Sequence, residues 1–69
     1  MIIVKEDRVV NSDHVFYFGK ETNRFDKFLI VFYFYQECTS FCYELEEDRD
    51  YDYRKIIEAY KTNEKLLEL

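Results

Sequence analysis

Sixty-nine residues, 48% of them hydrophobic and 20% aromatic, with no proline and a single glycine, describe one small folded domain and exclude both a disordered chain and a linker joining two domains. The formal net charge of −5 is lopsided: residues 1–35 carry five basic and five acidic side chains, residues 36–69 five and ten. That acidic excess speaks against direct nucleic-acid binding, because phosphate contacts need a basic surface. The longest apolar run spans eight residues, far short of the ~20 that a membrane-crossing helix needs.

From the N-terminus, Ile2, Ile3 and Val4 precede Lys5, Glu6 and Asp7, the reverse of the charge order in a secretory leader, so a cytoplasmic location is expected. Two short strands are predicted at 2–5 and 8–11, with Glu6 and Asp7 at the tip of a hairpin. Asn11, Ser12 and Asp13 then form a cluster of turn residues. A third strand is predicted at 14–18, stopped by Gly19, and a charged connection over 20–26 leads into a fourth at 27–35.

Residues 28–35 are apolar or aromatic without interruption, which predicts a strand apolar on both faces. The next strand, predicted at 40–46, alternates with period two. Setting Tyr35 opposite Ser40 pairs Phe34 with Phe41, Phe32 with Tyr43 and Ile30 with Leu45 on one face, and Tyr33 with Cys42, Val31 with Glu44 and Leu29 with Glu46 on the other. A one-residue slip would set apolar against polar throughout.

Acidic residues dominate 46–52. Beyond them Tyr53, Ile56, Ile57 and Tyr60 recur at i, i+3, i+4 and i+7, which predicts a helix over 49–61 capped by Asp48 or Asp50, with a break at Thr62 and Asn63 and a tail over 62–69. The fold expected is α+β: a small antiparallel sheet of three long and one or two short strands, followed by one C-terminal helix packed on one face. The face carrying Ile30, Phe32, Phe34, Phe41, Tyr43 and Leu45 should meet the helix. Leu29, Val31, Tyr33 and Tyr35 point the other way, and one helix cannot cover both faces. They lie either under the N-terminal segment or in a patch that another chain covers.

The residues with chemical potential read as structural. Cys38 and Cys42 lack further metal ligands and a redox spacing, so they are expected to be free thiols. Asp48, Asp50 and Asp52 resemble the opening of a calcium loop, but Tyr53 stands where the turn glycine belongs and Ala59 where the bidentate glutamate belongs. His14 has no recognisable nucleophile, and no glycine-rich phosphate loop exists. No catalytic residue, metal or cofactor is assigned, and the chain is read as non-enzymatic.

The order of elements, from Val9-Val10-Asn11-Ser12-Asp13-His14-Val15 through an alternating hairpin to Asp50-Tyr51-Asp52-Tyr53-Arg54-Lys55-Ile56-Ile57, resembles small sheet-plus-helix proteins encoded by Gram-positive bacteria and their phages. The doubly apolar strand, in a chain too short to cover both faces, points to a small acidic protein-binding module. The resemblance implies only a direction, since some small acidic phage proteins inhibit host defence or nucleic-acid-handling proteins. The expected contacts are Leu29, Val31, Tyr33 and Tyr35 for an apolar patch, which self-association as a homodimer would also use, and Glu44, Glu46, Glu47, Asp48 and Asp50 for an acidic strip facing a basic groove. A structural subunit of a permanent complex is the alternative reading, and an enzyme the third.

Overall fold

The computed structural model describes all 69 residues and shows an α+β fold built from two three-stranded sheets and one helix. In chain order the elements are β1 (Ile2–Lys5), β2 (Arg8–Asn11), a 3-10 turn (Ser12–His14), β3 (Tyr17–Thr22), β4 (Phe28–Phe34), β5 (Glu37–Tyr43), α1 (Glu46–Lys61) and β6 (Leu66–Glu68). The first sheet has the order β2-β1-β6 and the second β3-β4-β5. All pairings are antiparallel except β1 with β6, which is parallel and sets Ile2 beside Leu66.

The single sheet expected is therefore two, and the helix is not the last element. The tail over 62–69 returns as β6. Helix α1 stops where the sequence predicts: Asn63 takes φ 56, its N–H donates to Tyr60 O at 3.2 Å, and the Glu64 N–H donates to Ala59 O at 3.0 Å. This left-handed closure satisfies the last carbonyls and turns the chain back toward β1.

The core joins Ile3 and Val10 of the first sheet, Ile30, Phe32, Phe41 and Tyr43 of the second, and Ile56 of the helix. The first sheet and the helix thus share one side of the second sheet. Phe18 reinforces that side, with its ring 5.9 Å from Phe32, 5.7 Å from Tyr53 and 5.5 Å from Tyr60.

Four local expectations need correction. The strand predicted at 14–18 begins later, because the Asn11 side chain accepts from the Asp13 N–H at 3.0 Å and winds 12–14 into a 3-10 turn. Gly19 does not stop that strand; it pairs with Val31 inside it. The last strand of the second sheet spans Glu37–Tyr43 rather than 40–46, since Tyr35 and Gln36 alone make the turn, with Gln36 at φ 71. Ile30 consequently faces Phe41, Phe32 faces Thr39 and Phe34 faces Glu37, while Leu45 leaves the sheet and is 53% exposed. The pairing moves by an even number of positions, so each side chain that stays in the sheet keeps its predicted face, while Glu44, Leu45 and Glu46 lie beyond it.

Fourth, α1 starts at Glu46, earlier than predicted, and neither Asp48 nor Asp50 caps it. Leu45 occupies the cap position without a side-chain bond, and Glu46, Glu47 and Asp48 in the first turn complement the positive end of the helix dipole instead. Its buried face consists of Arg49, Asp52, Ile56 and Ala59, with Tyr53 and Ile57 at the margin and Tyr60 39% exposed.

Candidate functional site

The side of the second sheet turned away from the core carries Tyr17, Gly19 and Glu21 from β3, Leu29, Val31 and Tyr33 from β4, and Cys38, Ser40 and Cys42 from β5. Strand alternation places them there, and none belongs to the core cluster. No strand or helix of this chain forms a layer over them. Of the four apolar residues expected on this face, Leu29 and Tyr33 are half-buried, Tyr35 in the turn is 84% exposed, and Val31 is only 5% exposed.

Val31 is covered from within its own sheet. Its cross-strand neighbour Gly19 has no side chain, and the Tyr17 hydroxyl lies 3.2 Å from where a Gly19 Cβ would stand. The rings of Tyr17 and Tyr33 approach to 5.2 Å at 44°. The Tyr33 hydroxyl donates to the Glu21 carboxylate, and that bond, ahead of desolvation, pushes the phenol up to about 12. The Tyr17 ring thus reaches over Gly19 and packs at a tilt against Tyr33, giving an aromatic pair on this face, with Tyr35 in the turn beyond it.

The acidic residues fare differently. Glu44 pairs with Lys27, whose ammonium is raised above its ordinary range chiefly by that hydrogen bond. Glu46 lies 3.4 Å from Arg49, and Asp50 accepts from Arg49 at 2.7 Å and sits 3.5 Å from Lys20. Arg49, above all, holds the Asp50 carboxyl below the usual carboxylate range. Only Glu47 and Asp48 of the five have no cation within ion-pair distance, so most of the strip's charge is answered inside the molecule.

Two polar clusters that the sequence does not announce hold the layers together. Arg49 is 5% exposed, and its guanidinium donates to Glu21 O at 3.0 Å and Leu29 O at 3.4 Å, which fixes the start of the helix to the end of the β3–β4 hairpin. Asp52 is buried and accepts from Lys5 Nζ at 3.0 Å and from the Tyr43 hydroxyl at 2.7 Å, tying helix, first sheet and second sheet at one carboxylate. Burial first, and the Asp52 bond second, push the Tyr43 phenol above its ordinary range. Every buried side-chain polar atom has a partner.

The remaining candidates stay apart. His14 is exposed in the 3-10 turn, and Asp13 beside it is bound to the N-terminal ammonium at 2.9 Å. No three His, Cys, Asp or Glu side chains converge as a metal site. Cys38 and Cys42 are exposed and free, four positions apart on one strand. That spacing is about 13 Å, beyond the Cα separation of a disulfide. The largest cleft is a shallow groove beside α1 whose Lys20 and Lys61 are paired with Asp50 and Glu58. No helix is long and apolar enough to cross a membrane.

Sequence reasoning found the β4 half of the outer face and missed its β3 half. Glu21 joins this face because the third strand runs on through Gly19 to Thr22, and a glycine followed by Lys20 and Glu21 gave no signal of that; Tyr17 lay within the predicted strand but was not assigned to the face. No protein-family model, no curated protein and no solved structure matches this chain.

Proposed function

We propose that the protein is a non-enzymatic protein-binding module that works through the outer face of the β3-β4-β5 sheet. The observation that carries this reading is a sheet face with no covering layer, paved by Tyr17, Leu29 and Tyr33 and overhung by Tyr35. Tyrosine is favoured at such contacts because a large rigid ring brings area at a small entropic cost, with a hydroxyl left to bond. The face grades from this aromatic end to an acidic end, where Arg49 anchors the helix start beside Glu21 and Leu29 and leaves Glu47 and Asp48 without cations. The matching partner is a protein with an apolar patch flanked by basic residues.

Support for a module that is soluble on its own, rather than a subunit of a permanent complex, comes from the polar residues set into the face. Glu21 and Ser40 interrupt it, and the Tyr33 hydroxyl is already satisfied. Obligate interfaces are more uniformly apolar. The internal pairing of Glu44, Glu46 and Asp50 favours the sheet face over the acidic strip as the main contact.

The test is capture of a host protein by the wild-type chain, followed by affinity measurement with Leu29→Lys, Tyr17→Lys and the double reversal Glu47→Lys/Asp48→Lys. The first two should weaken binding about 30-fold or more, as for interface anchors. The reversal should act several-fold at low salt and less at high salt. A partner bound equally well by Leu29→Lys and Tyr17→Lys would overturn the reading.

A further inference from the structure

Strand β5 is the longest free edge in the molecule. It has seven residues, a hydrogen-bonded neighbour on one side only, and neither proline nor lysine. Among the other edges, β6 has three residues, and β3 carries Lys20 and is held by Arg49 at Glu21 O. Alternate residues of an antiparallel strand direct both backbone groups to the same side. The Ser40 carbonyl accepts from Arg8 Nη1 at 2.8 Å, from outside the sheet, so the backbone groups of Cys38, Ser40 and Cys42 all face the free edge. Arg8 Nη2 also bonds Thr39 Oγ1 at 2.6 Å, with its guanidinium over the Phe41 ring at 5.8 Å. One arginine therefore occupies the centre of the ladder, and Lys5 and Glu6 of the same hairpin share a small cleft with Phe41 and Cys42.

We infer that this edge receives a second copy of the same chain, β5 against β5 in antiparallel register about Ser40, with Arg8 as the guard that must swing away. The chemistry along the strand suits a two-fold axis at that residue. Each Cys38 falls opposite Cys42 of the other copy, Thr39 opposite Phe41, and Ser40 opposite Ser40. Glu37 meets Tyr43 and Glu44 meets Gln36, so no carboxylate faces a carboxylate. The free groups of Cys38, Ser40 and Cys42 supply about six new backbone hydrogen bonds. The product is a continuous six-stranded sheet in which the two outer faces lie side by side. The inference does not rest on the partner-binding reading, and either can fail without the other.

The cysteines make the register measurable. Directly opposed residues in this arrangement have Cα atoms about 5.5 Å apart, within the range a disulfide spans. With a small-molecule disulfide such as oxidised glutathione, a Cys38 thiolate forms a mixed disulfide and releases one reduced thiol. Cys42 of the other copy then displaces the second, so each cross-link consumes one oxidant and yields two thiols.

Wild-type protein should give a covalent dimer whose peptides show Cys38 joined to Cys42. Cys38→Ser alone and Cys42→Ser alone should each cross-link at least tenfold less, because cysteine then faces serine, whereas an equimolar mixture of the two should recover a singly linked dimer. Arg8→Ala should raise the cross-linking rate several-fold. Both cysteines are exposed, so the serine variants keep the fold. Cys38–Cys38 or Cys42–Cys42 links, a mixture no better than its components, or an Arg8→Ala rate equal to wild type would overturn the inference.

Discussion

Asp52 is the side chain on which the three layers depend most directly. Removing it as Asp52→Ala leaves the Lys5 ammonium and the Tyr43 hydroxyl without their shared acceptor in a mostly buried setting. The expected cost is about 2–3 kcal/mol, at the low end for a broken buried pair because Lys5 keeps some contact with water; urea unfolding measures it. Tyr43→Phe should cost about 1 kcal/mol and also alter the alkaline response. Below an ordinary phenol pKa near 10 the side chain is neutral whether folded or not. Above it the unfolded chain ionises and the folded Tyr43 does not, so stability falls as pH rises. The melting temperature should therefore decline from about pH 10 upward, and less steeply in Tyr43→Phe; equal slopes would remove Tyr43 as the cause. In the sequence Asp52 reads as one more helix-start carboxylate. Its partners lie 47 and 9 residues away, a relation that local pattern cannot carry.

At the scale of elements, the run over 28–35 shows how far alternation reaches. The division of β4 into an inner face of Ile30 and Phe32 and an outer face of Leu29, Val31 and Tyr33 was legible, because a period of two separates them. The pairing partner was not. Any even shift of β5 preserves both faces, and the turn that decides between them has Gln36, rather than glycine or asparagine, at positive φ. The core consequence is unaffected: Phe32 is fully buried between strands and helix, against Phe41 at 5.2 Å. Phe32→Ala should cost about 3–5 kcal/mol, comparable with the whole stability of a domain this small. Circular dichroism at 25 °C should show a largely unfolded variant, whereas Tyr35→Ser, at an exposed turn, should leave the melting temperature within a degree or two of wild type.

For the molecule as a whole, a simple count was sound: one helix cannot cover a doubly apolar sheet. Where the N-terminal hairpin goes was not readable, because Ile3 and Val10 on its inner side are no more apolar than Ile2, Val4 and Val9 on the other. It joins the helix on the same side and leaves the outer face bare. The strand β6 was missed because three residues after a helix break have no period to detect. Its role can be isolated. The Ile2 N–H donates to Lys65 O at 2.9 Å and the Leu69 N–H to Val4 O at 2.7 Å. Leu67→Asp should therefore accelerate hydrogen exchange at the Ile2 amide strongly while β4 amides keep most of their protection.

The pairing of β1 with β6 also sets an order in time. Ile2 and Leu66 are partners across 64 residues, so one flank of β1 is closed only once β6 has been made. At a synthesis rate of about 5–20 residues per second, β1 precedes β6 by about 3–13 s, during which the N–H of Ile2 and the C=O of Val4 have only water or a stranger to bond. Refolding of the finished chain faces the same long closure and should be limited by it, placing this protein among the slower folders of its size.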